Sequence, residues 1–213
     1  MSQLDDLIDQ ESAILERFIT NGYAQAAQSF SQILNHEVTV GSLQYNICTA
    51  TTAESADCPP IFYYGKTMTL VLTDIMGQAP GRSYLLLSDR ECQQLQSLGL
   101  SESQRSEEMT EAFIKEVDNI LSAAAISEFC TALRTLIFGG VPRLHTLPLK
   151  DMEATLTEDF AQSKQEGYGL MSSARFLVKG HPDLQPQFLW NFSSAFLDHL
   201  KKYIDLTIMS GSG

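Results

Sequence analysis

From Leu4 to Leu34, apolar residues recur every three or four positions: Leu7, Ile8, Ile14, Leu15, Phe18, Ile19, Ala26, Ala27, Phe30, Ile33 and Leu34. That period predicts an amphipathic helix, with an interruption expected at the Asn21-Gly22 pair. His36 to Cys48 carries Val38, Val40, Leu43, Tyr45 and Ile47 in broad alternation and reads as one or two strands. Thr51 to Pro60 collects Thr, Ser, Asp and a Pro-Pro pair and reads as a loop. Ile61 to Met76 and Arg82 to Leu87, with a turn over Gly77 to Gly81, are rich in aromatic and branched side chains and are expected at the centre of an antiparallel sheet. Ser88 and Asp89 offer a cap to a short helix over Arg90 to Leu98, and Ser101 to Ser106 is a polar connection. The longest helical stretch is expected from Glu107 to Phe138, stopped by Gly139-Gly140 with Pro142 just beyond. Further strands are expected over Leu144 to Thr155, Tyr168 to Val178 and Gln187 to Phe192. A terminal helix near Ser193 to Tyr203 and a flexible tail over Ser210 to Gly213 complete the pattern.

The two long helical stretches match at an offset of 99 residues, which pairs Thr20 with Asn119, Ala26 with Ala125, Phe30 with Phe129 and Leu34 with Leu133. A period that long does not make a solenoid. It implies a duplicated unit, with half-repeats over residues 4–100 and 101–209. The expected fold is therefore α+β: one domain over residues 1–209 with a central, mostly antiparallel sheet and two pseudo-symmetric long helices packed against it.

Composition removes several functions. Of 213 residues, 44% are hydrophobic, enough for one core. Fourteen Lys plus Arg against twenty-six Asp plus Glu leave a net charge of -12, which repels a polyphosphate backbone, so no nucleic-acid partner is expected. The acidic start, MSQLDDLIDQ, is unlike a basic signal segment, and no apolar run approaches the roughly 20 residues of a spanning helix, so the expectation is a cytoplasmic protein without membrane insertion. Cys48, Cys58, Cys92 and Cys130 form no C-x-x-C pair and read as free thiols, while His36, His145, His181 and His199 lack metal-ligand spacing. The chain is expected to hold no cofactor.

The chemistry concentrates on the longest helix. Ala112, Glu116, Asn119 and Ala123 stand at i, i+4, i+7 and i+11 and share one face, with Phe113, Val117, Ile120 and Ala124 as a neighbouring stripe suited to the core. That face offers an acid and a carboxamide with little bulk around them, an open shelf for another molecule. Glu-Val-Asp-Asn-Ile-Leu, followed after 22 intervening residues by Pro142, resembles the E-x2-N-x22-P signature of the CheC/CheX/FliY chemotaxis phosphatase family. The first helix, FITNGYAQAAQSFSQILNHEVTV, resembles the first CheC-type repeat, but with Arg17 and Thr20 where that repeat carries Glu and Asn. A guanidinium does not replace a carboxylate, nor a hydroxyl a carboxamide, so that first site is lost. A second departure is Ala112, where the fuller family pattern has Asp or Ser.

The resemblance implies hydrolysis of the acyl phosphate on a phosphorylated CheY-like receiver domain, with Glu116 and Asn119 as the site. Such a bond is already reactive, so the helper's task is to orient a water, and a neutral carboxamide does this without repelling phosphoryl oxygens. Glu116 beside a phosphoryl group would cost roughly 4 kcal/mol at 4 Å and an effective dielectric near 20. It is useful only against a cation, by resemblance the receiver's lysine. Mg2+ would belong to the receiver. The alternative is a non-catalytic module of the same ancestry that binds a receiver, a CheD-like deamidase or a flagellar switch protein. Either a monomer or a homodimer is compatible with the sequence.

Overall fold

The structure is a computed structural model and describes residues 3–48, 66–165 and 169–211. In chain order the elements are α1 (Gln3–Leu34), β1 (Val38–Cys48), β2 (Thr67–Gly77), β3 (Gly81–Ser88), α2 (Asp89–Gly99), a single 3-10 turn (Glu102–Gln104), α3 (Glu107–Leu133), β4 (Ile137–Gly139), β5 (Arg143–Pro148), α4 (Leu149–Gln165), β6 (Gly169–Val178), β7 (Gln187–Phe192) and α5 (Ser194–Gly211). The strands form one antiparallel sheet in the order β1-β6-β7-β3-β2, with β4 and β5 sharing the outer side of β2.

Strand alternation divides the interior in two. Val71, Ile75 and Leu85 point to the face covered by α1, α3 and α5, where they join Phe176, Phe188, Trp190 and Phe192. Their neighbours Leu70, Leu72, Tyr84 and Leu86 point to the opposite face, where Met152, Leu156 and Phe160 of α4 close over them. Because both faces are covered, the Tyr84-Leu85-Leu86-Leu87 run is buried throughout rather than alternating with solvent.

Positions paired by the 99-residue offset have matching exposure in α1 and α3. Thr20 and Asn119 are both exposed, whereas Ala26 and Ala125, Phe30 and Phe129, and Leu34 and Leu133 are all buried. Both long helices end on a left-handed residue at the same offset, Asn35 (φ 54) and Arg134 (φ 51). A register shift between Val40 and Leu43 of β1 corresponds to the gap between β4 and β5. Pro142 stands in that gap, half-buried, and its missing N–H cannot extend the ladder.

Several expectations need correction. α1 runs unbroken through Asn21-Gly22, because Gly22 serves close packing rather than a turn: a Cβ there would lie 2.3 Å from the Phe129 ring. The helix expected from Glu107 to Phe138 stops at Leu133, since Arg134 takes the left-handed conformation and Ile137–Gly139 pairs with β2, and at 27 residues it is shorter than α1 at 32. The strand expected over Leu144 to Thr155 ends at Pro148; α4 follows, its buried Met152, Leu156 and Phe160 spaced four apart. The last helix extends to Gly211, so Ser210 and Gly211 are helical rather than tail. The Thr51 to Pro60 loop and the start of the Ile61 to Met76 strand lie outside the described residues.

Phe129 is stacked on Phe18 at 5.0 Å and touches Trp190 and Phe192, each at 5.6 Å, so its ring has nowhere to yield. Gly22→Ala should therefore lose up to about 2 kcal/mol of stability: overpacking costs roughly 1–3 kcal/mol, against a helix-propensity gain of about 1 kcal/mol. Urea unfolding measures the sign directly.

Candidate functional site

α3 is fixed at both ends. Ser106 caps it by accepting a hydrogen bond from the Met109 N–H at 3.2 Å, and Gln96 of α2 donates to the Thr110 hydroxyl at 2.6 Å. At the far end the left-handed cap returns an N–H to the Cys130 carbonyl. Between these points Ile114, Val117, Leu121, Ala125, Phe129 and Leu133 are buried and seat the helix on the sheet. The core stripe expected from Phe113, Val117, Ile120 and Ala124 is thus displaced around the helix. Only Val117 is fully buried; the other three are half-buried, and Phe113 lies against Gly99 of α2.

Two polar contacts run from the seated face to the sheet. The Thr73 hydroxyl of β2 donates to Asp118 Oδ2 at 2.6 Å, and Ser122 and Ser83 of β3 share a hydrogen bond of 2.9 Å. Asp118 is wholly buried, and its Oδ1 has no hydrogen-bond partner. Loss of hydration raises its pKa to about 7, against the opposing effect of the Thr73 hydrogen bond. The sequence signal for Asp118 is its spacing, four residues after Ile114 and three before Leu121, which puts a carboxylate on the buried apolar face.

Opposite lies the predicted face. Ala112, Glu116, Asn119 and Ala123 are all exposed. Neither the Glu116 carboxylate nor the Asn119 carboxamide makes a hydrogen bond or ion pair with the described residues, and at three positions apart their Cβ atoms stand about 5–6 Å from one another. One group accepts hydrogen bonds and carries charge; the other donates and accepts without charge. The pair is equipped to hold a cation and orient a water on an incoming surface. On α1, Arg17, Thr20 and Ala24 form the corresponding exposed face, without either chemical group.

Other candidates resolve differently. Cys92 and Cys130 are half-buried free thiols, and burial pushes Cys92 up to about 11, so it stays protonated; Cys58 lies outside the described residues and nothing is described of the Cys48 side chain. The structure brings His36 and His181 together, ring centroids 4.9 Å apart, a pairing their spacing did not announce. Among the described residues no three His, Cys, Asp or Glu side chains gather as for a metal ion, and no helix is long and apolar enough to cross a membrane.

No protein-family profile matches the chain, and no curated protein sequence does. Solved structures do match its fold. FliY of Thermotoga maritima superposes with a TM-score of 0.62 at 14% identity, over 92% of this chain and 96% of that one. The fold is that of FliY. CheX in the Borrelia burgdorferi complex of CheX with CheY, BeF3 and Mg2+ follows with a TM-score of 0.52 at 13% identity, over 83% and 98% of the two chains. The middle domain of FliM from Vibrio alginolyticus gives 0.52 at 10%, over 89% and 99%. Identities this low establish a shared architecture, and the chemistry has to be argued from the side chains.

Asp118 sets a pH dependence of stability. Its folded pKa, about 7, lies above the ordinary value of 3.8. Below about pH 4 both states are protonated and there is no penalty; between about 4 and 7 the unfolded chain ionises first, so stability falls as pH rises, by about 4 kcal/mol at most. Asp118→Asn keeps an acceptor for Thr73 and removes the titration. Its unfolding free energy should be flatter than that of the wild type from pH 5 to 8 and higher at pH 8, as urea titrations at several pH values will report.

Proposed function

We propose that the chain is a phosphatase of a phosphorylated CheY-like receiver domain. The observation that carries this reading is the exposure of Glu116 and Asn119, neither with a partner among the described residues, on one small-residue face of a helix otherwise locked to the sheet. The solved complex of CheX with CheY, BeF3 and Mg2+ supports it, because a protein of this fold engages a receiver there.

In this mechanism the receiver supplies the aspartyl phosphate, the Mg2+ and a lysine. Glu116 pairs with that lysine and fixes the angle of approach. The Asn119 carboxamide accepts a hydrogen bond from a water and donates to the phosphoryl group, aligning the water opposite the aspartate oxygen. Water attacks phosphorus, the P–O bond to aspartate breaks with its electron pair going to the receiver's regenerated carboxylate, a proton of the water passes to a phosphoryl oxygen, and inorganic phosphate leaves. Ala112 and Ala123 add no bulk that would hold the receiver's backbone away.

A second reading has its own observation. The FliM middle domain shares this fold, and Arg17, Thr20 and Ala112 depart from the phosphatase pattern, as expected of a module that binds a receiver, a CheD-like deamidase or a switch component without hydrolysing anything.

Phosphate release from a phosphorylated receiver separates the two. Asn119→Ala should lower the stimulated rate roughly a hundredfold or more while binding persists, whereas Glu116→Gln should act mainly through KM and blunt the salt dependence of docking. A wild-type chain that binds the receiver without accelerating its dephosphorylation would establish the second reading instead.

A further inference from the structure

Beside the functional pair lies an apolar ridge that the E-x2-N pattern does not describe. Met109, Phe113, Glu116 and Ile120 stand at i, i+4, i+7 and i+11 of α3, so one row of side chains runs past the carboxylate on the side toward α2. Met109 is 43% exposed although large and apolar, and Phe113 and Ile120 are half-buried. The row is held from beneath. The Met109 N–H is bonded to the Ser106 cap, Thr110 is tied to Gln96, and the Phe113 ring sits so close to Gly99 that a Cβ there would lie 2.0 Å from it.

We infer that Met109 is the apolar anchor of the receiver-docking surface, a positioning residue that sets affinity while Asn119 sets the chemistry. This inference rests on the proposed function, and the receiver is the occupant for a geometric reason. A body that brings a cation to Glu116 and a phosphoryl group to Asn119 must lie over the outer face of α3. A standard protein interface covers about 800 Å² per partner, a disc of roughly 16 Å radius. At 1.5 Å per residue Met109 lies about 10 Å along the axis from Glu116 and about 15 Å from Asn119, so it falls inside that disc. Along the ridge it is the most exposed apolar group, and a methionine's unbranched, polarizable chain fits itself to a partner surface better than a branched one.

The test is a binding titration with a CheY-type receiver loaded with BeF3 and Mg2+, alongside phosphate-release kinetics on the same receiver phosphorylated. Met109→Gln, neutral and of similar size, should raise Kd and KM about tenfold or more. Met109→Leu should remain within about threefold of wild type. Met209→Gln, which alters a 75% exposed methionine on α5, serves as the surface control and should change neither. Unchanged Kd in Met109→Gln, with the wild type binding and Asn119→Ala still losing hydrolysis, overturns this inference alone. Failure of the wild type to bind the loaded receiver overturns it together with the phosphatase reading.

Discussion

The roll of α3 about its own axis is the constraint from which the rest of the structure takes its meaning. Each residue advances about 100° around a helix, so a slip of one position would swing Glu116 or Asn119 toward the sheet. Ile114, Val117, Leu121, Ala125 and Phe129 hold the apolar side down, but an apolar stripe alone tolerates some rotation. The bonds from Thr73 to Asp118 and between Ser83 and Ser122 are directional, and they come from two neighbouring strands. They narrow that freedom at the turns bearing Glu116 and Asn119. Asp118 does this at a cost, since a buried carboxyl with one unpaired oxygen destabilises the fold as soon as it ionises. A buried polar contact that weakens stability while specifying orientation is consistent with a helix whose outer face has work to do.

What could be read from the amino acids was whatever obeyed a local rule. Ser88 did cap α2, through a reciprocal bond with Glu91, and the outward grouping of Ala112, Glu116, Asn119 and Ala123 followed from helical spacing alone. The misses came where tertiary packing overrode local preference. Gly22 reads as a breaker, yet only a residue without a side chain fits against Phe129. Thr135 to Gly139 reads as the end of a helix, yet β2 recruits Ile137–Gly139 as a strand. α4 was hidden because a three-residue apolar line, Met152, Leu156 and Phe160, is sparse, and because its partner is the second face of the sheet rather than the main core. Asp118 was overlooked because its neighbours in sequence drew attention outward, whereas its burial is decided by strands some 45 residues away.

α1 and α3 resemble one another in burial but not in the groups they expose. α1 and α3 share the burial pattern, the left-handed cap and an exposed small-residue face, yet only α3 presents a carboxylate and a carboxamide. Of these two helices, α3 is the one that carries the candidate site. That FliY, CheX and the FliM middle domain all match this architecture agrees with a fold whose surface, rather than its core, determines what it does.

The most direct measurement of the central claim is a crystal structure of the chain bound to a CheY-type receiver carrying BeF3 and Mg2+. The account predicts the receiver seated on the outer face of α3, its lysine paired with Glu116 and the Asn119 carboxamide at hydrogen-bond distance, about 3 Å, from a water opposite the aspartate–beryllium bond. A complex in which the receiver occupies another surface, leaving Asn119 in solvent, would contradict it.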